Sequence, residues 1–113
     1  MNKDIIIARL DEENNTLTIS FCGEIDHHMA FSIREQIDEM LKNKRPRILV
    51  LDLKNVYFMD SSGLGLIMGR YSLMEKLGGL LVVKNPSGRV KKIINLAGLE
   101  RIIKIEYVKE GNK

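Results

Sequence analysis

The chain has 113 residues, 44% of them apolar and 29% charged, and a net charge of +3 from 18 basic and 15 acidic side chains; this is the make-up of one globular domain with a single core. The weak, scattered positive charge and the lack of Trp exclude the continuous basic stripe with stacking aromatics that marks a nucleic-acid binder. No apolar run reaches the roughly 18 residues needed to cross a bilayer, no signal-peptide apolar region opens the chain, and the lone Cys22 has no internal disulfide partner, so a cytoplasmic protein without membrane contact is expected.

Ile5, Ile6, Ile7 and Leu10 predict a first strand, and the polar residues 11–15 a turn. Leu17, Ile19 and Phe21 then alternate with Thr16, Thr18, Ser20 and Cys22, the period of a strand with unlike faces and the second arm of a hairpin. Gly23, Glu24, Ile25 and Asp26 break that period. Asp26 is placed to cap a helix carrying Ala30, Ile33, Ile37, Met40 and Leu41 on one side, and Pro46 requires that helix to end before it. The run Ile48, Leu49, Val50, Leu51 reads as a central strand covered on both faces. A helix over 61–77 follows, stopped by Gly78 and Gly79; residues 80–83 form a short strand. Pro86, Ser87 and Gly88 open a third helix with Val90, Ile93, Ile94 and Ala97 on one face and Gly98 at its end, and 102–108 supply a last strand. The alternation predicts an α/β domain, a mixed sheet of four or five strands with three or more helices packed against it and the later strands parallel. The polar clusters 24–28 and 60–63 both occupy strand-to-helix loops, where such folds place their sites, and are expected at one end of the molecule.

The most informative segment is Phe58, Met59, Asp60, Ser61, Ser62, Gly63, Leu64, Gly65, which sets hydroxyls at a helix start where backbone N–H groups lack partners and the dipole favours negative charge. A serine there can cap, contact phosphate, attack as a nucleophile or accept a phosphoryl group. A dinucleotide loop is disfavoured: Gly63, Gly65 and Gly69 give the wrong spacing, and no acid stands about 20 residues later. Asp26, His27 and His28 beside Glu24 do not make a metal site, because adjacent helical histidines point about 100° apart and no further His or Cys completes a ligand set. Nucleophilic catalysis lacks a Gly-x-Ser-x-Gly elbow and a chain long enough for a substrate pocket. Capping alone leaves the pair of serines with the pair of glycines unexplained. In the following helix Leu64, Ile67, Met68 and Tyr71 form a stripe expected to face the sheet, with Leu66 and Leu73 opposite, beside Ser62 and Gly69. Either the helix is sandwiched within the domain or it exposes an apolar patch of the kind that marks a partner surface. Phe31 likewise lies off the core stripe of the first helix.

Glu24-Ile25-Asp26-His27-His28, then 58–65, then Gly69-Arg70-Tyr71 closely resemble the bacterial anti-sigma factor antagonists, single domains of the STAS type, with the Asp-His-His element pointing to the sporulation branch. The resemblance runs over about residues 5–106 and implies a STAS domain over 1–108 with a flexible polar tail at 109–113, where family members often carry a further helix. It implies a non-enzymatic cytoplasmic protein, a monomer when free and without a cofactor. Unphosphorylated, it would bind an anti-sigma factor that is a serine kinase using its own ATP, freeing a sporulation sigma factor. The kinase would phosphorylate Ser61, the first serine of the triplet, and a PP2C-type phosphatase would restore it. On this reading Glu24 and Asp26 offer carboxylates to a basic partner residue, His27 and His28 stand at the rim, Asp60 orients the loop, Gly63 and Gly65 allow close backbone approach, and Ser62, Leu66 and Gly69 extend the contact. A nucleotide-binding domain with weak hydrolytic activity and a scaffold domain of a stress-signalling complex are the competing readings.

Overall fold

A computed structural model describes residues 6–108. The elements in chain order are β1 (Ile6–Asp11), β2 (Thr16–Ile25), α1 (His27–Lys44), β3 (Ile48–Met59), α2 (Ser61–Lys76), β4 (Leu80–Lys84), α3 (Gly88–Leu96), a 3-10 turn (Leu99–Arg101) and β5 (Lys104–Glu106). The five strands form one mixed sheet in chain order, β1 antiparallel to β2 and the remaining pairs parallel. The α/β architecture expected of the sequence is therefore present, with three α-helices. Ile5 and the tail 109–113 lie outside the described residues.

Local chemistry sets the turns. Asp11 closes the first hairpin by accepting the Asn14 backbone N–H (3.2 Å) and side-chain N–H (2.8 Å), while Asn15 takes the left-handed conformation with φ 51°. Those two hydrogen bonds hold the Asp11 carboxyl below its ordinary pKa. Helix α1 stops as Pro46 requires: Arg45 adopts φ 45° and its N–H donates to the Leu41 carbonyl at 2.9 Å.

The strand order steps in one direction and each parallel step is made through a helix, so right-handed connections place α1, α2 and α3 on the same face. Leu17, Ile19 and Phe21 of β2, Leu49, Leu51 and Leu53 of β3, and Leu81 and Val83 of β4 join Ile33, Ile37, Ile67, Met74, Val90 and Ile94 in one core cluster. The opposite face carries Thr16, Thr18, Val50, Val82 and Lys84 and, among the described residues, no helix. Leu49, Val50 and Leu51 are nevertheless all buried, so β3 is covered on both faces as expected, with Thr18 and Val82 beside Val50 in register.

Two strands run further than their apolar patterns indicate. β2 continues through Gly23 (φ 98°) and β3 through Lys54 and Asn55, pairing across register shifts at Ser20/Cys22 and Gly23/Glu24 up to Ile25 and Met59. β-Bulges break the alternation of side chains without ending the ladder. Conversely the last strand is only Lys104–Glu106, because Gly98 (φ 77°) ends α3, the chain tightens into the 3-10 turn and Ile103 enters the core.

Helix α2 is rotated from its expected setting. Ile67 is buried, but its buried companions are Gly63, Leu66, Arg70 and Met74, while Leu64, Met68 and Tyr71 are half-buried. The helix is sandwiched, with the sheet on one side and α1 on another. Among the described residues no helix is long and apolar enough to cross a membrane.

A methyl group built on Gly79 would stand 2.5 Å from Met74 Cε and 2.7 Å from the Arg47 carbonyl oxygen, and backbone cannot swing away as a side chain can. Gly79→Ala is expected to destabilise the domain by about 1–3 kcal/mol, read as a lower urea midpoint at unchanged m-value.

Candidate partner-docking site

The two polar clusters meet at one end of the sheet because the strands leading to them are in register. Ile25 and Met59 are paired residues, and the Asp60 N–H donates to the Ile25 carbonyl at 3.2 Å. Each strand then passes to its helix through a single residue, Asp26 or Asp60. Both are N-caps in extended conformation: Asp26 Oδ1 accepts the Met29 N–H at 3.0 Å and Asp60 Oδ1 accepts the Ser62 N–H at 2.7 Å. Strand β4 ends at Lys84, opposite Asp52, so β3 carries this end about 20 Å beyond it at ~3.3 Å per residue.

Asp60 therefore holds the cap, and Ser61 becomes the first helical residue, exposed to solvent. Its hydroxyl forms no hydrogen bond among the described residues. Ser62 is half-buried. Glu24, His27 and His28 are exposed, with the two imidazoles edge-on at a centroid separation of 5.9 Å; Asp26 is half-buried. The cap occupies only one Asp26 oxygen, leaving Oδ2 free of hydrogen bonds among the described residues.

The glycines separate by role. Gly63 is buried, and a Cβ there would meet Met59 Cβ at 2.8 Å and Ile25 Cγ2 at 3.2 Å. Its missing side chain lets α2 lie on the strand ends, so the close backbone approach expected at Gly63 is that of the helix to the sheet. Gly65 is exposed and Gly69 half-buried, and a Cβ on either meets nothing within 4 Å. Leu66 is 4% exposed, so it presents only an edge to a partner. That edge floors a groove of about 270 Å³ between the helices, bounded by His27, Ala30, Phe31 and Arg34 on α1 and by Ser62 and Gly65 on α2.

Sequence reasoning noted Phe31 without assigning it to the site, and missed Arg34 and the Asp38–Arg70 pair. Arg70 is 6% exposed; its Nε lies 2.8 Å from Asp38 Oδ1 and its Nη2 donates to Asp38 Oδ2 at 3.3 Å, tying α2 to α1. Burial lowers the Arg70 pKa, the Asp38 carboxylate opposes that shift, and the neighbouring Arg34 adds to it. The available signal was an arginine three residues after Ile67 and four before Met74, a charge on the buried arc that demands a partner.

The STAS domain family matches residues 8–110. The chain belongs to the STAS family. An anti-sigma F factor antagonist of Paenibacillus polymyxa is 38% identical over 103 residues, covering 91% of this chain and 87% of that protein. The unphosphorylated anti-sigma factor antagonist SpoIIAA superposes with a TM-score of 0.82 at 28% identity, covering 93% of this chain and 89% of its own. The phosphorylated form of the Bacillus cell fate determinant SpoIIAA gives a TM-score of 0.74 at 28% identity over 93% of this chain and 92% of its own.

In this STAS domain the Asp38–Arg70 pair sets how α1 lies against α2. Asp38→Ala strands a buried guanidinium and is expected to cost about 2–3 kcal/mol, less than a fully enclosed pair because Asp38 keeps some water contact. Combining it with Arg70→Met removes the stranded charge and should recover most of that loss in denaturant titrations.

Proposed function

We propose that this STAS domain is an anti-sigma factor antagonist switched by phosphorylation of Ser61. Unphosphorylated, it docks on a serine-kinase anti-sigma factor through the end bearing Glu24, Asp26, His27, His28, Asp60, Ser61, Ser62, Gly65 and Gly69, and a sporulation sigma factor is released. The kinase transfers the γ-phosphoryl group of its ATP to Ser61 Oγ, with loss of the hydroxyl proton and departure of ADP. A PP2C-type phosphatase hydrolyses the ester to serine and inorganic phosphate. The protein is cytoplasmic, and it is a kinase substrate with no catalytic role of its own.

The observation that carries this reading is the exposed, unbonded Ser61 hydroxyl at the first position of α2, next to the one-residue loop Asp60, whose N–H is tied to the Ile25 carbonyl just before Asp26. Its support from relatives is the 38% identical anti-sigma F factor antagonist and the likeness to SpoIIAA, solved in unphosphorylated and phosphorylated forms. A phosphoserine adds about −1.5 to −2 charges and three acceptor oxygens. At a helix N-terminus such charge is favoured by roughly 0.3–1 kcal/mol, so the domain keeps its fold and the effect falls on the partner. The same interface brings carboxylates from Glu24 and the free oxygen of Asp26 to a basic residue opposite. Weakening the complex 100-fold needs only about 2.7 kcal/mol, which one desolvated like-charge contact supplies.

Incubation with a purified anti-sigma kinase and ATP, followed by mass-spectrometric mapping, is expected to find one phosphate on Ser61. Ser61→Ala should remain bound in the presence of ATP, and its continued phosphorylation would move the site to Ser62. Ser61→Asp should melt within a few degrees of the parent while binding about 100-fold more weakly; a globally unfolded variant would remove the steric and electrostatic account.

A further inference from the structure

The groove between α1 and α2 lies beside the phosphoacceptor and is not explained by the fold. We propose that it is a specificity pocket that receives one apolar side chain of the anti-sigma partner, with Phe31 as its wall and Arg34 pairing a carboxylate that flanks that side chain. The inference rests on the docking reading above and deepens it by giving the chemistry of the partner segment.

Three observations meet there. Phe31 is 70% exposed, whereas α1 sends Met29, Ile33, Ile37 and Leu41 into the core. A single exposed apolar residue is ordinary, but this one borders a concavity with Leu66 as its floor and Ala30 at its side. Gly65 keeps the concavity open. Glycine inside a helix costs about 0.5–1 kcal/mol relative to alanine, and no neighbour of Gly65 requires that cost, in contrast to Gly63. At about 270 Å³ the groove has room for one inserted side chain.

Charge identifies what accompanies that side chain. Arg34 lies near Arg70, and the Asp38 carboxylate pairs with Arg70. Among the described residues Arg34 is in no ion pair, so this end of the groove keeps a positive charge that an incoming carboxylate neutralises. Aromatic and arginine side chains are also the groups that dominate binding energy once an interface closes over them. An occupant presenting an apolar residue next to Asp or Glu fits both halves of the groove.

The test measures binding of the kinase identified by phosphorylation of Ser61 to variants of the whole chain. Phe31→Ala is expected to weaken binding at least 10-fold. Gly65→Leu, which fills the groove, should weaken it at least 30-fold while the melting temperature holds or rises. Arg34→Glu should weaken binding about 10-fold and Arg34→Lys by no more than threefold. Benzoylphenylalanine at position 31 should cross-link to a partner peptide with an apolar residue beside Asp or Glu. Phe31→Ala and Gly65→Leu binding within twofold of the parent, with Ser61→Asp still weak, would overturn the pocket and leave the switch standing. Ser61→Asp binding as tightly as the parent would instead remove the docking reading. A cross-link confined to a basic or polar segment overturns the assigned chemistry. Loss of a homodimer on Phe31→Ala, with partner affinity unchanged, assigns the groove to a second copy and overturns it too.

Discussion

The register between β2 and β3 is the constraint on which the rest of the molecule depends. Paired residues Ile25 and Met59, joined to the Asp60 N–H by the bond to the Ile25 carbonyl, bring two chain segments separated by more than thirty positions to the same height at one end of the sheet. Because one aspartate completes each turn, neither helix can begin a residue early or late without losing its cap. A slip of one residue in either strand would exchange buried and exposed faces and carry Ser61 inward. The exposure of one hydroxyl is thus set by a ladder that begins at Thr16 and Ile48, far from it.

A second constraint acts at right angles to the first. The strands fix where α1 and α2 start, and the Asp38–Arg70 pair fixes how they lie against each other further along. Gly63 allows α2 to settle on Met59 and Ile25. What remains between the helices is the shallow trough at Phe31 and Gly65. Rigid elements therefore surround every group in the proposed interface, and none sits on a long loop. Docking on such a surface loses little conformational entropy, which favours tight binding from a small area.

Much of this was legible in the chain. The hairpin, the cap at Asp26, the stop before Pro46 and the shared location of both polar clusters follow from local rules: period-two alternation, side-chain acceptors at helix starts and proline sterics. The misses have one physical origin, interactions between segments. Nothing near Gly23 or Lys54 announces that β2 and β3 continue, since a bulged ladder needs only backbone groups and leaves side chains free to be polar. The sandwiched setting of α2 was one of the two readings its twin apolar faces left open, but nothing in the pattern admitted Arg70 to the arc that α1 buries.

The two serines at the start of α2 are adjacent but not equivalent, and the difference explains how a switch of this type can leave the fold untouched. A phosphate on exposed Ser61 meets the positive end of α2, worth roughly 0.3–1 kcal/mol, and the Asp60 carboxylate, whose repulsion of about −1.5 to −2 charges in high-dielectric water is about 1.5–2 kcal/mol at 4 Å. These terms oppose each other and leave a net of about 1 kcal/mol, small against a domain stability on the order of 5–15 kcal/mol. The added charge then has little internal consequence and is felt mainly by whatever docks there. On half-buried Ser62, whose N–H is held by Asp60, the same group would have to enter the trough beside Leu66 and displace the α1–α2 contact. Modification at that position would act on the domain itself, which is why the proposed switch is placed on Ser61.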